Sequence, residues 1–354
     1  VNKIIDNKNI HKFICISVLS VLSALSFNIA VSMREAIILS IANGASFIPF
    51  VKSYITLPCT FLVGACYLLL NRRIGSVLTY TTINTFFLAY FVIFSLFIVP
   101  NYDSLTLNAD TAEQWRQLYP NLRHFVGLIE HWPSALFHVC AEIWSIYIFI
   151  ILFWQVANES MQPGEATQFY PLVTFLISFG TTLAAYPIQK MSQSQTPLLS
   201  LLTLILPLGL LMNLLVLYIN RNWALDAKYS KSSGVQLAEQ SLLKKIKALF
   251  SQSLSQEVLS LSICVFSFNF LISLFESCFW TRVSMTHPSQ QSLLDFYSFY
   301  TLLKGGISML CSVINIYLLK VVSWNFVICI SPLVAVTAIH IFFLFLPHLI
   351  VLVK

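Results

Sequence analysis

The sequence predicts an all-α, polytopic membrane protein, and three observations lead to that fold class. Hydrophobic residues make up 57% of the 354 residues and charged residues only 10%, less than half the charged share of a typical soluble domain. The mean hydropathy is +0.79. Polar residues are gathered into short stretches, leaving apolar runs of about 20 residues, the length that a helix needs to cross a hydrocarbon core.

Windows of about 19 residues predict about nine transmembrane helices. They lie near 13–33, 51–70, 76–99, 133–155, 170–189, 198–219, 257–279, 296–319 and 324–350. Six spans precede a basic, polar stretch and three follow it. We therefore expect a six-helix bundle over 1–219, a cytoplasmic connector over 220–256 and a partial three-helix bundle over 257–354. Transporters built from two six-helix halves share this layout in their first two-thirds.

The distribution of Lys and Arg predicts a cytoplasmic N-terminus, because cytoplasmic segments carry an excess of these residues. The predicted outer segments hold few of them, chiefly Lys52, Arg116, Arg123, Lys190 and Arg282. A short amphipathic helix is predicted over Leu122–Ile129, inside the long outer loop Asn101–Trp132. A second amphipathic helix, over Val235–Phe250, is predicted to lie at the inner membrane surface.

Several functional classes are disfavoured. The net charge is +6, but the basic residues form no stripe with interleaved aromatic residues, so no nucleic-acid partner is expected. The eight cysteines lie within or beside apolar stretches without a CxxC pair, which supports neither a disulfide framework nor a zinc site. No motif for a cofactor or for nucleotide hydrolysis occurs, so gradients or exchange would have to drive any solute movement. HExxH and GxSxG are missing too, which argues against an intramembrane enzyme.

Ionisable residues inside apolar runs are the main candidates for a site, because each is costly in the membrane unless it faces a partner or a cavity. They are Arg34, Glu35, Glu142, Glu276 and Lys304. Opposite charges can pair simply to stabilise helix packing, yet a set spread over separate helices is more typical of a solute pathway. His138, one turn before Glu142, is either a proton-relay partner or a packed histidine.

One stretch, Ala135–Glu159 (ALFHVCAEIWSIYIFIILFWQVANE), resembles the ATP/ADP translocase family of plastids and obligate intracellular bacteria. Weaker matches follow in the same order along the chain: Met33–Leu39, Ser46–Lys52, Val99–Asp103, Glu165–Tyr170 and Leu271–Pro288. The resemblance implies a major-facilitator-like bundle that exchanges ADP, usually with phosphate, for ATP across a bacterial inner membrane. Some members instead import nucleotides together with protons.

The resemblance also implies a substrate site. The family's first-helix lysine falls on Arg34, its A-E-[LI]-W glutamate on Glu142 and its seventh-helix glutamate on Glu276. We expect these three side chains to face one central cavity and to bind ATP and ADP, with Lys304 as a further candidate. An arginine suits this role, because its guanidinium binds phosphate through two parallel hydrogen bonds.

The sequence also departs from the family pattern. Arg34 replaces a lysine, Thr167 and Gln168 replace a basic pair, and the family's C-terminal K-E-M-A-Y and L-G-K-S-G segments do not occur in it. Three hypotheses therefore remain: a nucleotide exchanger, short or represented by a fragment; a degenerate homologue without transport activity; and an intramembrane lipid transferase. The first is preferred.

Overall fold

The computed structural model describes residues 7–41, 44–194, 196–223 and 256–322, with five single positions between 334 and 344. Within these residues every regular element is helical. The α-helices are α1 (Asn7–Leu39), α2 (Gly44–Phe50), α3 (Leu57–Ile74), α4 (Ser76–Ile93), α5 (Tyr102–Leu105), α6 (Ala109–Leu118), α7 (Arg123–Glu130), α8 (Trp132–Ser145), α9 (Phe153–Ser160), α10 (Pro163–Ser192), α11 (Pro197–Trp223), α12 (Gln256–Thr286) and α13 (Gln290–Val321).

Seven helical segments of the described chain are long and apolar enough to cross a membrane. They are Ile10–Leu39, Gly44–Ile74, Ser76–Ile98, Trp132–Ser160, Phe169–Ser192, Leu202–Trp223 and Gln290–Leu318. The all-α, polytopic prediction is therefore confirmed, and these segments match the first six and the eighth predicted spans. The seventh predicted span falls on the continuous helix α12, and its membrane crossing stays a prediction. The ninth predicted span, apart from five single positions, lies outside the described residues, as does the amphipathic helix predicted over Val235–Phe250.

Three of the spans contain a wider π-helical stretch that the sequence analysis did not predict. These stretches are Val51–Thr56, Phe94–Ile98 and Ile146–Leu152. The first and third each join the α-helices on either side into one span, and the second forms the end of the span Ser76–Ile98. A π-helical turn shifts the angular position of the residues that follow it, and such turns are frequent at functional sites.

The long loop over residues 101–132 forms a helical head made of α5, α6 and α7. The amphipathic helix predicted over Leu122–Ile129 is confirmed as α7, which buries Val126 and Leu128. Backbone bonding joins both ends of the head, since the N–H of Leu107 donates to the carbonyl of Glu130 at 3.1 Å. Helix α7 packs against α2, which follows α1, and leads directly into α8, so the head lies at the end of the bundle where α1 ends and α8 begins.

Helix α1 is the centre of the packing, with α8, α10 and α11 against it. It presents small side chains to these neighbours, and Ser20, Ser23, Ala24 and Ser26 are at most 1% exposed. Small residues let membrane helices approach closely, which compensates for the weak hydrophobic drive between helices in lipid. Large apolar side chains such as Phe61, at 72% exposure, instead face outward, as expected for a chain dissolved in lipid.

A buried amide network fixes α4 against α8 and α11. The Asn84 side chain, 0% exposed, donates to the carbonyl of Gly209 and to Asn213 Oδ1, both at 2.9 Å. It accepts from Trp144 Nε1 at 2.9 Å. All the polar groups of this amide are used, as membrane burial requires.

Internal contacts divide the chain into two units. One comprises Val1–Gln236 with Trp280–Leu310, and the other comprises Leu237–Phe279 with Cys311–Lys354. The division at 219 and 256 that the sequence suggests stays a prediction. All the side-chain geometry described below belongs to the first unit.

Candidate functional site

Arg34 and Glu142, which the sequence analysis assigns to one site, lie together in the structure. Arg34 is only 9% exposed, and one of its terminal nitrogens, Nη1, is 3.8 Å from Glu142 Oε1. Its Nε is 3.3 Å from Glu35 Oε1. One guanidinium of α1 is thus shared by a carboxylate from its own helix and one from α8. We call Arg34, Glu35, His138 and Glu142 the charge cluster.

His138 completes the charge cluster from the preceding turn of α8. Its ring is 0% exposed, its Nε2 lies 3.4 Å from Glu142 Oε2, and its Nδ1 lies 3.5 Å from the backbone carbonyl of Arg34. The ring therefore touches both members of the Arg34–Glu142 pair. The i, i+4 spacing was visible in the sequence, and the contact with the α1 backbone was not.

The charge cluster leaves polar atoms without hydrogen-bond partners. Among the described residues, none is found for the buried atoms Glu35 Oε2, Glu142 Oε2 and His138 Nε2. The 3.4 Å approach of the last two lacks hydrogen-bond geometry. Burying such atoms unsatisfied is costly. A cluster of this kind is suited to exchanging its internal partners for those of a polar solute.

Lys52 is a cation that the sequence analysis counted with the outer loops. The structure places it, half-buried, in the π-helical stretch Val51–Thr56, which packs against α8. Its ammonium attracts the carboxylate of Glu142. Two cations, Arg34 and Lys52, thereby offset the two carboxylates of the charge cluster. The residue was missed because a lysine at the edge of a span usually extends to the interface.

Lys304 reaches α1, but at a different level from Arg34. Its Nζ lies 3.3 Å from Asn28 Oδ1 and 6.0 Å from the centre of the Phe27 ring. Asn28 precedes Arg34 by six residues, roughly 9 Å along a helix axis. Lys304 therefore contacts α1, the helix that also carries Arg34. Its side chain is exposed, so it is accessible as a further contact for an extended anion.

Glu276, the remaining predicted site residue, lies on α12 and is half-buried. It belongs to the second unit of the chain. Its predicted position beside Arg34 and Glu142 therefore stays a prediction.

A family model described as TLC ATP/ADP transporter matches residues 4–349. Among curated relatives, the chain is 26% identical over 314 residues to ADP,ATP carrier protein 1 of Rickettsia bellii, and the match covers 86% of this chain and 62% of the relative. It is 27% identical over 361 residues to ADP,ATP carrier protein 4 of the same organism, covering 96% of this chain and 68% of the relative. Carrier protein 5 is 25% identical over 356 residues, covering 96% and 70%.

The chain thus spans between 62% and 70% of the length of these relatives. No solved structure matches it. The matched segment contains every residue of the charge cluster, together with Lys52, Glu276 and Lys304.

Proposed function

Because the chain belongs to the TLC ATP/ADP transporter family, we propose that it exchanges ATP for ADP across a bacterial inner membrane, with its N-terminus in the cytoplasm. The observation that carries this proposal is the buried guanidinium of Arg34, shared between the carboxylates of Glu35 and Glu142. Its relatives bear the name of ADP,ATP carriers, which supports nucleotides as the transported solutes. No catalytic role is proposed for any residue.

Phosphate binding would proceed by exchange of partners at Arg34. At 3.8 Å the contact with Glu142 is longer than an optimal charge-assisted hydrogen bond of about 2.8 Å, so the pair attracts without being tightly bonded. A phosphate group can bind the guanidinium through two parallel hydrogen bonds in place of the carboxylates. When phosphate leaves, the carboxylates again neutralise the cation, and the empty site carries no unpaired buried charge.

The released carboxylates would then act as hydrogen-bond acceptors. Glu35 Oε2 and Glu142 Oε2 are buried and unsatisfied. The hydroxyl groups of a ribose and the amino group of adenine are donors that could bond to them. Lys52 would still offset the negative charge of Glu142 when Arg34 turns toward phosphate. His138, in contact with both partners, could accept a proton if protons or phosphate accompany the nucleotide.

Glu276 and Lys304 are proposed as contacts from the later helices. Alternating access requires two halves that move around a central site. We propose the helices of 1–219 as one half and those of 257–354 as part of the other, joined by 220–256. In this arrangement Lys304, which already reaches α1 at Asn28, would bind the distal phosphates.

The proposal is tested by reconstituting the full chain into liposomes loaded with ADP. We expect uptake of labelled ATP that depends on internal ADP and ceases when the vesicles are loaded with buffer alone. Uptake that requires an inward proton gradient and no internal ADP would indicate proton symport instead of exchange. A correctly folded chain that takes up no more ATP than protein-free vesicles would point to the rival hypothesis, a homologue without transport activity.

A further inference from the structure

A second set of polar contacts joins α1, α10 and α13 away from the charge cluster. Lys304 of α13 places its Nζ 3.3 Å from Asn28 Oδ1 on α1. The amide of Asn28 is also bonded to Thr181 of α10 at 3.1 Å. Asn28 and Thr181 are buried, whereas Lys304 is exposed. A buried amide therefore contacts an accessible cation.

The hydrogen bonds of Asn28 allow only one orientation of its amide. Its Nδ2 group donates to the backbone carbonyl of Ala24 at 2.7 Å and to Thr181 Oγ1 at 3.1 Å. The Thr181 hydroxyl donates in turn to the carbonyl of Ile177, so its oxygen accepts from the amide. A backbone carbonyl can only accept, and an ammonium can only donate. The oxygen of the amide is therefore fixed on the side of Lys304.

The backbone of α13 is also held in place beside Lys304. A Cβ added to Gly305 would lie 2.6 Å from the backbone nitrogen of Thr182, so α13 and α10 are in close contact at the residue that follows the lysine. About one turn further along α13, the hydroxyl oxygens of Ser178 and Ser308 are 2.8 Å apart. Both the backbone and the ammonium of Lys304 are thus positioned. A side chain that is already ordered loses less conformational entropy when it binds a ligand.

Asn28 orients the ammonium without adding negative charge. Its Oδ1 is a neutral acceptor, and the neighbouring Phe27 ring, whose centre is 6.0 Å from Lys304 Nζ, attracts a cation through its face. Neither group cancels the charge of the lysine, whereas the carboxylates of the charge cluster offset that of Arg34. Contacts of this neutral kind hold a cation in position and leave its charge in place for an anion.

The two cations meet α1 at different levels. Asn28 precedes Arg34 by six residues, roughly 9 Å along the helix axis. A single phosphate group is much shorter than this separation, whereas a chain of linked phosphates can extend from one level toward the other. The spacing therefore favours an anion that carries several phosphates in a row.

We propose that Asn28 is a positioning residue, which holds Lys304 as a second phosphate contact and thereby makes the site select nucleoside di- and triphosphates over monophosphates. This inference rests on the proposed function, in which Arg34 and Lys304 bind the phosphates. A monophosphate contacts one of the two cations, and a longer phosphate chain contacts both. Asn28 touches no phosphate and acts through the lysine.

Binding of labelled ATP to the full chain in phosphatidylcholine nanodiscs, with unlabelled ATP, ADP and AMP as competitors, tests this proposal. We expect the wild type to bind ATP about tenfold or more tightly than AMP, because AMP forgoes one charge-assisted contact. Asn28→Ala should weaken ATP binding about tenfold and AMP binding by less than about twofold. The ratio of the two affinities should therefore fall. Asn222→Ala, at an exposed asparagine of α11, is the control and should leave this ratio unchanged.

A double-mutant cycle separates positioning from a general loss of packing. Lys304→Ala should weaken ATP binding about tenfold or more. Adding Asn28→Ala to it should cost less than about a further twofold, because Asn28 acts through the lysine. Misfolded chains lower the number of binding sites and leave the ratio of affinities unchanged. If Asn28→Ala does not fold, Thr181→Val replaces it in the cycle, since it removes one of the two hydrogen bonds that hold the amide.

The outcomes distinguish this inference from the proposed function. An Asn28→Ala chain with the wild-type ratio of ATP to AMP affinity would overturn the positioning role, and ATP exchange by the wild type would still support the proposed function. Effects of Asn28→Ala and Lys304→Ala that multiply in the double variant would also overturn the positioning role. A folded wild-type chain that binds no ATP would contradict the proposed function and this inference together.

Discussion

Lys12 and Glu165 form a buried ion pair that joins the first and fifth spans. Lys12 Nζ is 2.5 Å from Glu165 Oε2, and the two side chains are only 8% and 11% exposed. The same carboxylate accepts the backbone N–H of Gln162 at 3.0 Å, as part of a capping box at the start of α10. One carboxylate thus fixes the start of α10 and connects it to α1.

The change Glu165→Gln should destabilise the protein more than removal of the whole pair. Loss of one partner leaves a buried charge without its counter-charge, which costs about 3–5 kcal/mol. We expect about 3 kcal/mol, since the remaining exposure lets water stabilise the lysine in part. The double change Lys12→Met with Glu165→Gln leaves no charge, and glutamine can still accept from Gln162. Its cost should stay below about 1.5 kcal/mol.

Thermal unfolding of the purified chain in detergent, followed by tryptophan fluorescence, measures this difference. At about 2 °C for each kcal/mol, Glu165→Gln should lower the melting temperature by roughly 6 °C and the double variant by no more than half as much. Lys190→Met, at an exposed lysine of α10, is the control and should have no effect. The reasoning is refuted if the double variant is as unstable as the sum of its two single changes.

Three further predictions concern other parts of the first unit. Asn84→Ala removes three hydrogen bonds, each worth about 0.6 kcal/mol in a membrane, so the melting temperature should fall by about 4 °C. Asn222→Ala, at an exposed asparagine, is the control. An equal fall in melting temperature for both variants would contradict the role of the amide network. Lys52→Ala should raise the KM for ATP exchange about tenfold, whereas Lys190→Ala should leave it unchanged; equal KM values would remove Lys52 from the site. Burial lowers the pKa of His131 from its ordinary 6.5, so the unfolded chain binds more protons than the folded chain as the pH drops below about 6.5. The melting temperature should therefore fall over that range. His131→Gln should flatten this pH dependence, and a variant with the same dependence of melting temperature on pH as the wild type would contradict the prediction.

The spans were predictable because every backbone polar group in lipid must be hydrogen-bonded within the protein, so a long apolar segment forms a helix. Arg34 and Glu142 were found for a related reason. A charge within an apolar run is conspicuous, and the resemblance added that the two share a site. Glu276 had the same signal. Its position beside them is still a prediction.

Other parts of the site carried no such signal. Lys52 lies near the end of a span, where an uncommitted lysine is ordinary, and only packing of the π-helical stretch Val51–Thr56 on α8 brings it toward Glu142. The π-helical stretches have no clear sequence pattern. The packing of the head depends on contacts between α2 and α7, such as Phe47 on Gly127, which are far apart in the sequence. Long-range contacts of this kind cannot be deduced from local patterns.

Uptake of labelled ATP into ADP-loaded liposomes by Arg34→Ala and Arg34→Lys tests the central claim most directly, namely that Arg34 binds the phosphates of the transported nucleotide. We predict that Arg34→Ala lowers uptake by about a hundredfold through the loss of charge-assisted hydrogen bonds. Arg34→Lys, which keeps the charge without the paired hydrogen bonds, should retain an intermediate rate. Wild-type uptake by a folded Arg34→Ala chain would contradict the claim and reduce the charge cluster to a structural ion pair.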